Sequence, residues 1–346
     1  MVPGDAPAPT ERGWARVIVA LLVFLVLPPW LRWVAPVTSS LLLLLPALGA
    51  MMVVGWWAGG SVVLAAVWLC VGVAAAVLPP PHGAFDGLQR GWAVLVAASF
   101  GLACIAGRLQ SLIGRALAAV GISVAVAVIL VVSSPGGMGR VQRAAHAEFA
   151  GRVAQMVSEV DSSFASAEWK EQAKASPRLA DFGTAVQQQL RGFPEAAAQY
   201  VVVAPALLAL ESIMALALAW ALYHRWSRAR LGPPLGRVRD FRFSDHLVWG
   251  VVLGLVMLVV PLAAGIRYAG VNLLVFFGAL YAFRGFGVLW WFVAPSRLTV
   301  ALMVLLGVLL APVAVPALVA LTLGLGVADT WLDWRNRARP TIQSSE

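Results

Sequence analysis

The residues of this chain that could bind a ligand or take part in a reaction are the charged and polar ones within its apolar segments. Glu211 stands in the run APALLALESIMALALAW, and Arg284 stands in the run NLLVFFGALYAFRGFGVLWW. An ionisable group at membrane depth is costly and is therefore a functional candidate by default. The candidate intramembrane polar site consists of five charged or polar residues: Glu211, Asn272, Tyr281, Arg284 and Asp329.

Two interpretations are open for each of the central charges. Glu211 lies near the middle of its segment, too deep to reach the headgroups, so it is either a protonated carboxyl that holds helices together or a proton or cation relay. Arg284 lies about 20 Å from the outer end of its segment at 1.5 Å per residue, in the cytoplasmic half. It either binds a substrate or anion, or it extends to the headgroups or pairs with an aspartate to fix helix packing. The candidate packing or salt-bridge residues are Arg284, Asp329, Asp333 and Arg335.

Motifs for catalysis, metal binding and cofactor binding are missing from the sequence. It contains no HExxH, GxSxG, Walker or dinucleotide-binding pattern. The four histidines are scattered without metal-ligand spacing, and Cys70 and Cys104 each lie in an apolar run, as buried small hydrophobic residues do. We therefore expect no metal, no cofactor and no enzymatic activity.

The elements that must position these residues are membrane-spanning helices. Hydrophobic residues make up 61% of the chain and charged residues only 12%, which excludes an ordinary soluble domain. The apolar runs are unbroken, whereas barrel strands would alternate, so the spanning segments are helical. The net charge of +9 would suggest nucleic acid in a soluble protein. Here the arginines fall in short loops, as the positive-inside rule requires, and we expect no nucleic-acid partner.

Nine apolar tracts give the number of membrane passes. A helix needs about 20 residues to span, so the last tract, with two prolines inside it, is long for one pass and short for two. We predict an all-α, polytopic helical integral membrane protein with ten passes, nine being the alternative. The tracts are residues 14–27, 39–54, 61–78, 92–106, 116–132, 200–223, 246–266, 271–293 and 298–328.

The distribution of arginine fixes the orientation. The loop HRWSRARLGPPLGRVRDFRF, which follows the sixth tract, holds six arginines and one aspartate. It is predicted to be cytoplasmic, and counting passes in both directions also places the two termini in the cytoplasm. The predicted location is the cytoplasmic (inner) membrane of a bacterium.

One polar segment, residues 133–195, interrupts the membrane tracts, and its near-neutral charge favours the extracytoplasmic side. Apolar residues recur every three or four positions between Val141 and Val160, which predicts an amphipathic helix. We expect Asp161 or Ser162 to end it and cap the next helix, and a further helix through Leu179–Leu190. The predicted parts are a cytoplasmic tail (1–13), an N-terminal bundle of five spans (14–132), a helical insert (133–195), a C-terminal bundle (196–330) and a basic cytoplasmic tail (331–346).

Three motifs in the C-terminal third carry a family resemblance. They are FRFSDHLVWG (241–250), the run from Asn272 to Trp291 with its Asn, Tyr and Gly at intervals, and LGVADTWLDWRNR (325–337). With these, residues 195–337 resemble the YybS-like family of uncharacterised bacterial membrane proteins, also called domain of unknown function 2232. The matching positions are Pro205, Tyr223, Asn272, Tyr281, Gly285, Asp329, Asp333 and Arg335.

The resemblance implies a membrane fold but no activity, because the family has none established. Arg284 departs from the family pattern, which has a polar uncharged residue before the glycine, so no role is carried onto it. From the residues we expect a transport-type membrane component, handling a substrate or ion, without its own ATPase. The alternative is a non-catalytic scaffold or assembly subunit that docks a partner protein through the helices of residues 133–195. The expected partners are the lipid bilayer, a small-molecule ligand or a partner protein.

Overall fold

The apolar runs fold as α-helices in the computed structural model, which describes residues 14–25, 37–78, 83–106, 111–191, 193–260, 264–293 and 311–337. These described parts contain no strand, and the expected polytopic helical architecture is confirmed. The helices are α1 (Trp14–Leu25), α2 (Val37–Trp57), α3 (Val62–Val77), α4 (Ala84–Ala106), α5 (Leu112–Ser133), α6 (Gly137–Ala165), α7 (Ala167–Ala175), α8 (Pro177–Arg191), α9 (Phe193–Trp226), α10 (Val248–Val259), α11 (Ala264–Val293), α12 (Ala311–Leu332) and α13 (Trp334–Arg337).

Five of the described helices are long and apolar enough to cross a membrane, and the protein is a membrane protein. They comprise Thr38–Trp57, Ala84–Ala106, Leu112–Ser133, Tyr200–Trp226 and Gly265–Val293. Shorter apolar helices occupy Val62–Val77, Asp245–Val259 and Pro316–Leu332. The count of nine or ten passes stays a prediction, because part of the last apolar tract, residues 298–310, lies outside the described residues.

The chain divides into two compact units, residues 1–234 and 235–346. Helix α9 belongs to the first unit, although the sequence suggested that residues from 196 onward belong with the C-terminal bundle. In this unit α2 packs against α3, α4 and α9. The centre of the core is fully buried and is formed by Leu48, Met51, Phe100, Leu216 and Trp220.

The insert between α5 and α9 consists of α6, α7 and α8. Helix α6 buries Ala145, Phe149 and Val153, three positions of the predicted apolar row. It continues to Ala165, so the break expected at Asp161 or Ser162 is wrong. The serines there donate to the carbonyl of Glu159 and are accommodated inside the helix. The cap lies four residues later, at Ser166, whose hydroxyl accepts from the Trp169 amide at 3.2 Å.

The second unit contains α10 to α13, and α11 packs on both α10 and α12. Helix α11 starts at Ala264 and includes residues 267–270, where the sequence suggested a loop between two spans. Helices α11 and α12 touch through their backbones. A Cβ on Gly285 would overlap the carbonyl oxygen of Thr322, and one on Gly326 would overlap that of Tyr281. Glycine at both positions is therefore what allows this close helix pair.

Candidate functional site

A buried cluster of charges lies where α11, α12 and α13 meet. Arg284, Asp329 and Arg335 are each at most 3% exposed. Arg284 Nε donates to Asp329 Oδ2 at 3.0 Å, and Arg335 Nη2 donates to the same oxygen at 2.7 Å. Arg284 Nη2 also donates to the backbone carbonyl of Asp329 at 3.3 Å. One carboxylate thus serves two buried guanidinium groups.

The cluster also holds the segment that precedes α10, residues 238–247, which we call the connector. Arg335 Nη1 donates to the carbonyl of Arg239 at 3.0 Å and to that of Phe241 at 3.1 Å. Arg284 Nη1 donates to Asp245 Oδ1 at 2.7 Å, and its guanidinium lies 5.4 Å from the ring centre of Phe243. Because six donor contacts and one aromatic ring engage Arg284 and Arg335, both side chains are held in fixed positions.

The turn between α12 and α13 brings Arg335 back to Asp329. Asp333 occupies this turn with a φ of +41°, in the left-handed region that aspartate tolerates better than most residues. Its carboxylate accepts from Arg242 Nη2 of the connector at 2.8 Å, in a half-exposed ion pair. The turn and the connector therefore fix each other.

Some buried polar atoms in this region lack a hydrogen-bond partner among the described residues. They are Asp329 Oδ1, Arg335 Nε, Tyr281 Oη and Thr330 Oγ1. Within the same described part of the chain, no three His, Cys, Asp or Glu side chains are grouped so that they could hold a metal ion. The dominant chemistry of the cluster is ion pairing that joins three helices and the connector.

Three of the five predicted intramembrane residues meet in this unit. Tyr281 is fully buried one turn before Arg284, and its ring lies 5.0 Å from that of Phe243, which also contacts Arg284. Asn272 lies on the same helix about 18 Å from Arg284 at 1.5 Å per residue. Its side chain donates to the Tyr268 carbonyl at 2.9 Å.

Glu211 belongs to the first unit, on α9, and is 7% exposed. Its Oε1 accepts from the hydroxyl of Ser40, on α2, at 2.7 Å. The next residue, Ser212, accepts from Trp92 Nε1 of α4 at 2.9 Å and donates to the Leu208 carbonyl at 2.7 Å. These side chains, Ser40, Trp92, Glu211 and Ser212, form a polar row across three membrane helices. The five-residue site of the sequence analysis stays a prediction, because its members belong to two units.

Another buried cation, Arg115 of the first unit, was not among the predicted site residues. It is fully buried at the start of α5, its Nη1 donates to the Leu231 carbonyl at 2.8 Å, and its guanidinium lies 5.1 Å from the centre of the Trp220 ring. Trp220 Nε1 donates to the Pro233 carbonyl, and the Tyr223 hydroxyl donates to that of Ala229. The hydrogen bonds of Arg115, Trp220 and Tyr223 thus hold the loop after α9. The signal in the sequence was an arginine directly before the apolar tract 116–132, but an arginine at this position is also typical of an ordinary loop.

The family model described as predicted membrane protein (DUF2232) matches residues 17–330 of the chain. The match includes both units and every residue of the buried charge cluster except Asp333 and Arg335. No curated protein and no solved structure matches the chain.

Proposed function

We propose that this chain, which belongs to the family of predicted membrane proteins DUF2232, is a transport-type component that handles a small solute or ion through Glu211 and carries no ATPase of its own. The buried charge cluster of the second unit is a structural clamp in this proposal. Arg284 donates three hydrogen bonds to Asp329 and Asp245 and lies against the ring of Phe243, so its side chain is held within the protein.

The observation that carries the proposal is the position of Glu211. It lies about 16 Å from the start and about 22 Å from the end of the apolar helix Tyr200–Trp226, at 1.5 Å per residue. A carboxylate at this depth is retained against its cost when it pairs, takes up a proton or binds a cation. Its partner, Ser40, is on a different helix, so a change in the charge of Glu211 acts directly on the contact between α2 and α9.

The orientation belongs to the same proposal. Arg228 and Arg230 after α9, and Arg237 and Arg239 before α10, are exposed, as loop arginines on the cytoplasmic side are. We place this loop and both termini in the cytoplasm, the α6–α8 insert outside, and the protein in the inner membrane of a bacterium.

Thermal unfolding of the purified protein tests the solute site. A ligand at 100 times its Kd stabilises the folded state by about 2.7 kcal/mol, which raises the Tm measurably. We expect one class of small solutes or ions to raise the Tm of the wild type and to lose this effect in Glu211→Gln. The matched control is Glu159→Gln, an exposed carboxylate on α6, which should respond as the wild type does. A ligand shift that survives in Glu211→Gln would exclude the proposed site.

A scaffold role is the second candidate, and the insert is the feature that favours it. None of the side chains of α7 is buried, and Phe182 of α8 is 60% exposed. A docked partner would cover Phe182, so hydrogen exchange in α7 and α8 would be slower in native membranes than in the purified protein. Equal exchange in the two preparations would argue against this role.

A further inference from the structure

We propose that a groove along α6 binds one acyl chain of a membrane lipid whose headgroup carries an ammonium group. The groove has a volume of about 900 Å³. Its apolar part is formed by side chains of α6 and one of α9, namely Phe149, Ala150, Val153, Ala154, Val157 and Val201. This inference is independent of the Glu211 site and does not require transport.

The apolar part of the groove lies at the edge of the membrane. Phe149 and Val153 pack in one cluster with Val201, and Phe85 packs against that cluster. Val201 is the second residue of the apolar helix Tyr200–Trp226, and Phe85 is the second residue of Ala84–Ala106. Two membrane-crossing helices thus begin where α6 passes, and the groove adjoins the hydrocarbon region on this side.

The length of the apolar part fits a hydrocarbon chain. From Phe149 to Val157 the helix rises about 12 Å at 1.5 Å per residue. One leaflet of the hydrocarbon core is about 15 Å thick, half of the usual 30 Å. Ala150 and Ala154 line the groove, and their small exposed side chains leave room for an acyl chain there.

The far end of the groove is polar. Beyond Val157 the lining consists of three polar residues, Ser158, Asp161 and Ser162, and then Ala165, all exposed. Asp161 accepts a long contact of 3.4 Å from the Gln187 amide and retains capacity for a further donor, since a carboxylate has about four acceptor positions. An apolar stretch followed by an acceptor-rich, anionic end matches an amphiphile with an ammonium headgroup and disfavours an anionic one.

Photo-crosslinking of the full chain in lipid nanodiscs tests this assignment. The probes are phosphatidylethanolamine with a diazirine in one acyl chain and phosphatidylglycerol with the same chain. We expect the ethanolamine probe to label the α6 peptide that contains residues 149–157, and to do so more strongly than the glycerol probe. In Ala154→Trp, where the indole fills the groove, labelling of this peptide should fall about tenfold, the loss that follows a tenfold weaker affinity.

The matched control is Ala147→Trp, an exposed alanine on α6 that does not line the groove. It should label as the wild type does, and peptides of α5 should be labelled equally in all variants, which reports correct membrane insertion. Unlabelled α6, equal labelling by both probes, or no effect of Ala154→Trp would overturn the proposal. Disulfide formation between two copies of Ala154→Cys, without lipid labelling of α6, would also overturn it, because it would assign the groove to a second copy of the chain.

Discussion

At the scale of single residues, Asp329 is the member of the charge cluster whose loss has the largest expected effect. Its Oδ2 accepts from both Arg284 and Arg335, and all three side chains are nearly inaccessible. Removing one partner of a buried ion pair leaves charge without compensation and costs about 3–5 kcal/mol. We expect Asp329→Asn to lower the unfolding free energy by this amount, measured by denaturant unfolding of the purified protein.

An exposed pair in the same unit provides the comparison. Arg239 and Asp240 are 3.8 Å apart and each side chain is 46% exposed. Since exposed pairs contribute about 0–1 kcal/mol, Asp240→Asn should change the unfolding free energy little. Equal effects of the two substitutions would show that the cluster is solvated and is not a buried clamp.

At the scale of helices, the close approach of α11 and α12 depends on two glycines. An added Cβ at Gly285 or Gly326 would meet a backbone carbonyl, which cannot move aside as a flexible side chain could. Overpacking of this kind costs about 1–3 kcal/mol. We expect Gly285→Ala to lower the unfolding free energy by at least this amount and to lower the Tm.

The same two helices provide controls for this substitution. A Cβ at Gly278 of α11 or at Gly324 of α12 would meet nothing within 4 Å. Because alanine is the better helix former by about 1 kcal/mol, Gly278→Ala and Gly324→Ala should leave stability unchanged or raise it. A neutral Gly285→Ala would show that the helices are farther apart than the structure has them.

The helices themselves could be predicted from the sequence, because long apolar runs have one solution in lipid. The ends of the helices were harder to predict. Helix α6 continues through Asp161 because its serines bond within the helix, and α11 includes residues 267–270, which interrupt its apolar run. Local composition favours a break at both places, and the hydrogen bonds and packing that prevent it are visible only in the folded chain.

The charge cluster could be predicted in part. Counting residues along their helices predicts that Arg284 and Asp329 lie toward the same face of the membrane. In the structure, Arg284 Nε is 3.0 Å from Asp329 Oδ2. The contribution of Asp245 and the backbone contacts of Arg335 could not be predicted. They depend on the connector and on the left-handed turn at Asp333, which no periodic pattern signals.

At the scale of the whole molecule, the proposed orientation requires helix α9 to separate the insert from the connector. Its apolar part, Tyr200–Trp226, lies between Ser162 and Ser244, and both serines are exposed. If this helix crosses the membrane once, the two serines lie on opposite sides. In the orientation that we propose, the arginine-rich loop next to Ser244 lies in the cytoplasm.

Single cysteines report this arrangement. In a chain whose Cys70 and Cys104 are replaced by alanine, we expect Ser162→Cys to react with a membrane-impermeant maleimide in intact cells. Ser244→Cys should react only after the cells are permeabilised, and permeabilised cells expressing either variant serve as the labelling control. Reaction of both cysteines in intact cells would mean that α9 does not cross. The reverse pattern would place the insert in the cytoplasm, where its groove would face the inner leaflet.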